Sequence, residues 1–134
     1  MKRGDTGRAG EDFAAQYLED LGFHIVERNA RVGHLETDII AADGKYILFT
    51  EVKTRRTRPD APHPFGTPGA AVNAAKADRL IRAAEEYMRT HRDEYGSLQP
   101  RIDVIEIYAD PETEEFSVLR LLHIKNAVRR QSKL

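Results

Sequence analysis

The stretch LETDIIAADGKYILFTEVKTR, Leu35 to Arg55, constrains the fold of this chain more than any other. Two β-rich runs, Leu35 to Ala42 and Lys45 to Thr54, flank Asp43-Gly44, a dipeptide that favours a tight reversal. Apolar residues occur on both parities, with Ile40, Ile47 and Phe49 on one and Ile39, Leu48 and Val52 on the other. Alternate residues of a strand face opposite sides, so this hairpin belongs in a sheet covered on both faces. With Asp43 and Gly44 as the two turn residues, Ile40 faces Ile47, Asp38 faces Phe49 and Glu36 faces Glu51. Glu36, Asp38, Glu51 and Lys53 then share one face.

The remaining segments supply the cover. From Asp5 to Leu21 the residues Ala9, Phe13, Ala14, Tyr17, Leu18 and Leu21 recur with helical spacing, and Gly22 is a natural stop. Phe23 to Ala30 reads as a strand that precedes the hairpin. The segment from Thr57 to Gly69 holds Pro59, Pro62, Pro64 and Pro68 and reads as a loop. A second helix follows from about Ala70 to Arg92, burying Val72, Leu80, Ala83, Ala84 and Tyr87. Arg101 to Ala109 and Phe116 to Ile124 complete the pattern as strands joined by DPETEE. The order αβββαββ predicts an α/β fold, a mixed central sheet flanked by helices. A length of 134 residues suits one domain, with a loop near 57–69 and a basic tail over 125–134.

Three carboxylates on one patch require compensation, because like charges across a ladder repel and carboxylates beside a core lose hydration. A divalent cation would supply it. The absence of cysteine, and of a histidine pair at ligand spacing, favours Mg²⁺ or Mn²⁺ over zinc. Lys53 beside such an ion suits phosphodiester hydrolysis, where it can orient water and stabilise developing negative charge. The competing reading of Glu51 and Lys53 is a surface ion pair, and the alignment of Asp38 favours the site. The formal net charge of −1 argues against nucleic-acid binding by bulk charge, so such binding must rest on local clusters.

These residues carry a resemblance. Asp38, then Glu51-Val52-Lys53 on the next strand with a helix on either side, resembles the PD-(D/E)XK nuclease core, a restriction-endonuclease-like fold. The blocks GRAGEDFAAQYLEDLGFHIVERNAR, GHLETDIIAADGKYILFTEVKTR and FGTPGAAVNAAKADRLIRAAEEY resemble, in order, those of the YraN family. Members are bacterial proteins related to archaeal Holliday junction resolvases. The likeness covers about Gly7 to Val104; where the family more often has Gly before its Glu-x-Asp, this chain has Leu35. It implies that Asp38 and Glu51 hold the ion, that Glu11 joins them from the first helix, and that Lys53 assists the attacking water. Glu36 and Lys76 are accessory candidates, and Lys76 matches a family lysine suited to phosphate. The implied activity is metal-dependent cleavage of DNA, including branched DNA, and the resemblance leaves room for a homodimer.

Bland readings stand beside these. Glu11 also suits the first turns of a helix electrostatically, although the glycines from Gly7 to Gly10 would admit close approach of a backbone or a phosphate. Lys76 also suits a solvated helix face. The run KTRRTR offers Arg55, Arg56 and Arg58 to a nucleic-acid backbone, or else forms a charged edge that blocks strand pairing. The loop with His63 and Phe65 either closes over substrate or is simply a connection, and the tail KNAVRRQSKL either binds nucleic acid or frays. His24, His34, His91 and His123 are assigned to no metal. Two rival functions are a catalytically silent nucleic-acid binding module and a protein-interaction scaffold. The N-terminus lacks the apolar core of a signal peptide and no segment is long enough to span a bilayer, which sets a cytoplasmic expectation.

Overall fold

A computed structural model describes residues 3–59 and 74–128. Its elements are α1 (Arg3–Asp20), β1 (His24–Val32), β2 (Leu35–Ala42), β3 (Tyr46–Arg55), α2 (Ala74–Thr90), the one-turn α3 (Arg92–Tyr95), β4 (Gln99–Ala109) and β5 (Val118–Ile124). The five strands form one sheet in the order β1-β2-β3-β4-β5, parallel only between β3 and β4. This is the expected α/β architecture with its αβββαββ order, plus one short turn of helix after α2. The segment 60–73, with the expected helix start at Ala70, Val72 and most of the proline-rich loop, lies outside the described residues, as do 129–134 of the basic tail.

The two parities of the hairpin do separate two cores. Ile40, Ala42, Ile47 and Phe49 pack with Leu80, Ala84 and Tyr87 of α2. Ile39, Ala41 and Leu48 pack with Ala14, Ala15 and Leu18 of α1 and with Ile105 and Ile107 of β4. The parallel β3–β4 pair lies inside this cover, as parallel strands require.

Helix α1 stops as its sequence suggests. Gly22 adopts φ +102°, its N–H donates to Glu19 O at 2.9 Å, and the Phe23 N–H donates to Leu18 O at 3.1 Å, which together close a Schellman motif. Its buried stripe is narrower than the apolar pattern implied. Thr6, Gly10, Ala14 and Leu18 turn inward at four-residue spacing, whereas Phe13 and Leu21 are exposed. A Cβ on Gly10 would stand 1.8 Å from Thr54 Oγ1, so this glycine lets α1 lie directly on β3. Gly7, by contrast, faces open space.

A buried polar chain ties α1 to the far strands. The Asp103 carboxylate, wholly buried, accepts Arg101 Nε at 2.9 Å and Nη2 at 2.8 Å, and the Asn126 N–H at 2.9 Å. His123 Nε2 lies 2.7 Å from Asp103 Oδ2, and its Nδ1 lies 2.8 Å from the Tyr17 hydroxyl. Burial alone would raise the Asp103 pKa, yet the hydrogen bonds from His123, Arg101 and Asn126 outweigh it and lower the group to about 2.

Candidate functional site at the end of the hairpin ladder

The register of the hairpin differs from expectation by two residues. Ile40 pairs with Phe49 and Ala42 with Ile47, so the turn begins at Asp43 and its central residues are Gly44 and Lys45. The cause is the Asp43 side chain, whose Oδ1 accepts the Lys45 N–H at 2.8 Å and the Tyr46 N–H at 2.7 Å. The Asp43 N–H donates to Tyr46 O at 3.0 Å and closes the ladder. A slip of two leaves every side chain on its original face. It also carries Glu51, rather than Phe49, to the position across from Asp38.

Ladder pairing between β2 and β3 stops at Ile39 and Thr50. Beyond it the Val52 N–H donates to Asp38 Oδ2 at 2.8 Å, so a side chain replaces the next rung. The Asp38 carboxylate is thereby fixed where the strands part. Burial is the largest influence on it, followed by the charge of Glu51, with smaller contributions from Glu11 and Glu36. The Val52 N–H opposes these but does not prevail, and the Asp38 pKa rises to about 7.

Opposite this acidic wall stands a basic one. Lys76, in the first described turn of α2, brings Nζ within 2.8 Å of Glu51 Oε1, both side chains being largely shielded. A cleft of about 450 Å³ lies between, lined by Glu36, Asp38 and Glu51 on the sheet, Lys76, Arg79 and Leu80 on the helix, and His34 and Leu35 at the β1–β2 turn. Gly33, with φ +65°, makes that turn a two-residue reversal between Val32 and Leu35. Glu11 approaches from α1. Its Oε1 is buried with no hydrogen-bond partner among the described residues, and Arg28 Nη2 is 3.7 Å away.

The sequence candidates therefore divide. Asp38, Glu51, Glu36 and Lys76 line one cleft, and the charge of Glu11 is felt at Asp38. Lys53 shares the face of Glu51 but is exposed and does not line the cleft. Among the described residues no three Asp, Glu or His side chains are gathered closely enough to enclose an ion, and Glu51 is paired with Lys76. The carboxylates of Glu36, Asp38 and Glu51 offer oxygen donors, with the His34 imidazole at the rim, and Glu11 carries an orphaned buried oxygen, a donor set dominated by oxygen that fits a hard divalent cation. The expected basic run is also modified. Arg55 is buried beside Glu106, its Nε 4.0 Å from Oε2, which removes it from the exposed set. Arg56 Nη2 donates to Thr113 O, and to Asp110 O at 3.4 Å, while Arg58 pairs with Glu112 at 2.6 Å. Half-buried Arg56 and exposed Arg58 both lean on the β4–β5 turn. Sequence reasoning missed His34 and Arg79 in the cleft; the one signal for Arg79 was its i+3 spacing from Lys76.

A larger concavity, about 660 Å³, lies against the other end of α2 and is lined by Ala84, Met88, Arg92, Ile102 and Val128 among others. It contains none of the candidate residues, and volume without converging reactive groups does not define a reaction site.

A protein from Symbiobacterium thermophilum is 43% identical over 124 residues, covering 91% of this chain and 94% of its own. One from Streptomyces griseus is 45% identical over 106 residues, covering 77% and 82%, and one from Caldicellulosiruptor saccharolyticus is 37% identical over 127 residues, covering 95% and 99%. Each is described as a UPF0102 protein. Among solved structures, Pyrococcus furiosus SfsA in complex with Ca²⁺ aligns with 87% of this chain at a TM-score of 0.39 and 16% identity. This chain spans 62% of that one. Among the described residues no helix is long and apolar enough to cross a membrane. The model of the uncharacterised protein family UPF0102 matches residues 10–107, and the chain belongs to that family, the YraN family that its three sequence blocks resemble.

Proposed function

We propose that this protein is a metal-dependent DNA endonuclease that hydrolyses phosphodiester bonds, with branched DNA among its substrates. The observation that carries this reading is the Asp38 carboxylate at the parting of β2 and β3, facing Glu51 and opposed across a cleft by Lys76 and Arg79. An acidic wall that binds a cation and a basic wall that attracts phosphate are what this chemistry needs.

Asp38 and Glu51 would hold Mg²⁺ or Mn²⁺, with the orphaned oxygen of Glu11 available from α1. Such an ion, when bound, polarises the phosphoryl group and lowers the pKa of water. Lys53, exposed on the face of Glu51, orients the attacking water and hydrogen-bonds to the developing negative charge. Water oxygen attacks phosphorus, the bond to the sugar oxygen breaks, and the departing oxygen takes up a proton. Arg56 and Arg58 contact the flanking phosphates after leaving the β4–β5 turn, and Arg55 braces the strand beneath them. A homodimer would let two such sites act on both strands of a junction.

The test is cleavage of single-stranded, duplex, flapped and four-way-junction DNA with Mg²⁺ or Mn²⁺, comparing the native protein with Glu51→Ala. Cleavage that depends on metal and falls roughly a hundredfold or more in the variant is expected. No cleavage, or equal cleavage by both proteins, would overturn the reading.

A further inference from the structure

We propose that Lys76 is a displaceable counter-ion, holding Glu51 while no cation is bound and freed into the cleft when a divalent cation takes up that carboxylate. The inference rests on the proposed cation and nucleic-acid reading of the cleft, and it adds a coupling between the two ligands.

Three features support it. First, the pair is close and largely shielded, at 2.8 Å with side-chain exposures of 30% for Lys76 and 17% for Glu51, so it is screened less than a surface pair yet remains open to the cleft. Secondly, an ammonium on Glu51 and a dication at the same carboxylate repel one another with twice the Coulomb energy of two unit charges. Both cannot occupy it with full effect. Thirdly, Lys76 has a flexible stem and lies one helical turn from Arg79, which lines the same cleft. A released Lys76 therefore joins a second cation on the same helix, and the ligand that suits this pair is a phosphate group.

Glu51 is turned towards α2 by its lysine, and the acidic wall is completed only by exchanging one cation for another. Cation binding thus costs one ion pair and yields a phosphate contact, so metal and nucleic acid bind with positive coupling.

Calorimetric titration of Mn²⁺ into the native protein, Lys76→Met and Lys76→Arg tests the exchange. Lys76→Met should bind Mn²⁺ about threefold to tenfold more tightly, while Lys76→Arg stays near the native value. Anisotropy of a labelled DNA duplex, read before turnover, supplies the second arm: Lys76→Met should weaken DNA binding more in Mn²⁺ than in EDTA. Equal or weaker Mn²⁺ binding by a folded Lys76→Met would overturn the exchange. DNA binding lost equally with and without Mn²⁺ would reduce Lys76 to a fixed phosphate contact. Absence of Mn²⁺ binding by all three proteins would overturn the cation reading beneath it.

Discussion

Asp38 owes its character to a missing rung. A carboxylate in the interior of a paired ladder would point to one face of the sheet, but here it turns to accept the Val52 N–H where pairing has ended. Burial and three neighbouring carboxylates then hold its pKa up, from 3.8 to about 7. A carboxyl whose folded pKa is raised binds protons more readily in the folded state. Its contribution to stability is full below about pH 4 and falls away as pH rises towards 7. Metal-free protein should lose stability over that window, and Asp38→Asn, which cannot ionise, should flatten the decline. Urea midpoints measured at successive pH values check this; parallel curves for the two proteins would refute the shift. Asp103 shows the opposite outcome for a buried aspartate. Its compensating donors, Arg101, His123 and the Asn126 N–H, hold its pKa at about 2. The position of Asp38 was legible because it lies on the hairpin. The links from Asp103 to His123 and Tyr17 were not, since Tyr17 and His123 are 106 residues apart and no local periodicity connects them.

At the scale of elements, parity survived where pairing did not. The turn chemistry of Asp43 moved the register by two residues, yet Ile40 and Phe49 remained on the α2 side and Ile39 and Leu48 on the α1 side. The faces are fixed by burial, whereas the register is fixed by side-chain hydrogen bonds that the dipeptide rule does not specify. A similar limit applies to α1. Its apolar residues suggested a broad buried face, but Gly10 brings the helix so close to β3 that a narrow stripe suffices and Phe13 is left outside. Glu11, the next residue of α1 after Gly10, lies near enough for its charge to act on Asp38. Gly10→Ala should therefore cost about 1–3 kcal/mol by crowding Thr54, with part of the loss recovered in the double variant Gly10→Ala, Thr54→Ala, which removes the clashing Oγ1. Denaturant unfolding measures both; an unchanged single variant would mean that α1 does not bear on β3. The basic run was legible as composition only. Its arginines are divided between burial at Glu106 and the acidic turn, a distribution set by β4 and β5 rather than by local sequence.

The described residues form a sheet with a long helix packed on each face, and the candidate site lies at one end, where two neighbouring strands separate. The α1 face contributes Glu11, the strands contribute Asp38 and Glu51, and α2 contributes Lys76 and Arg79. Residues distributed from the first helix to the third quarter of the chain thus meet only through tertiary packing, which is why the resemblance of three separate blocks was informative and no single block sufficed. In the proposed reading a divalent cation is the species that neutralises the acidic side of the cleft. The most direct measurement is the melting temperature of the native protein and of Asp38→Asn at pH 8 with and without saturating Mn²⁺. The native protein should gain on the order of 5–10 °C at about a hundredfold excess over Kd, and Asp38→Asn should gain almost nothing. An equal rise in both proteins, or none in the native one, would contradict a cation site at the end of the β2–β3 ladder.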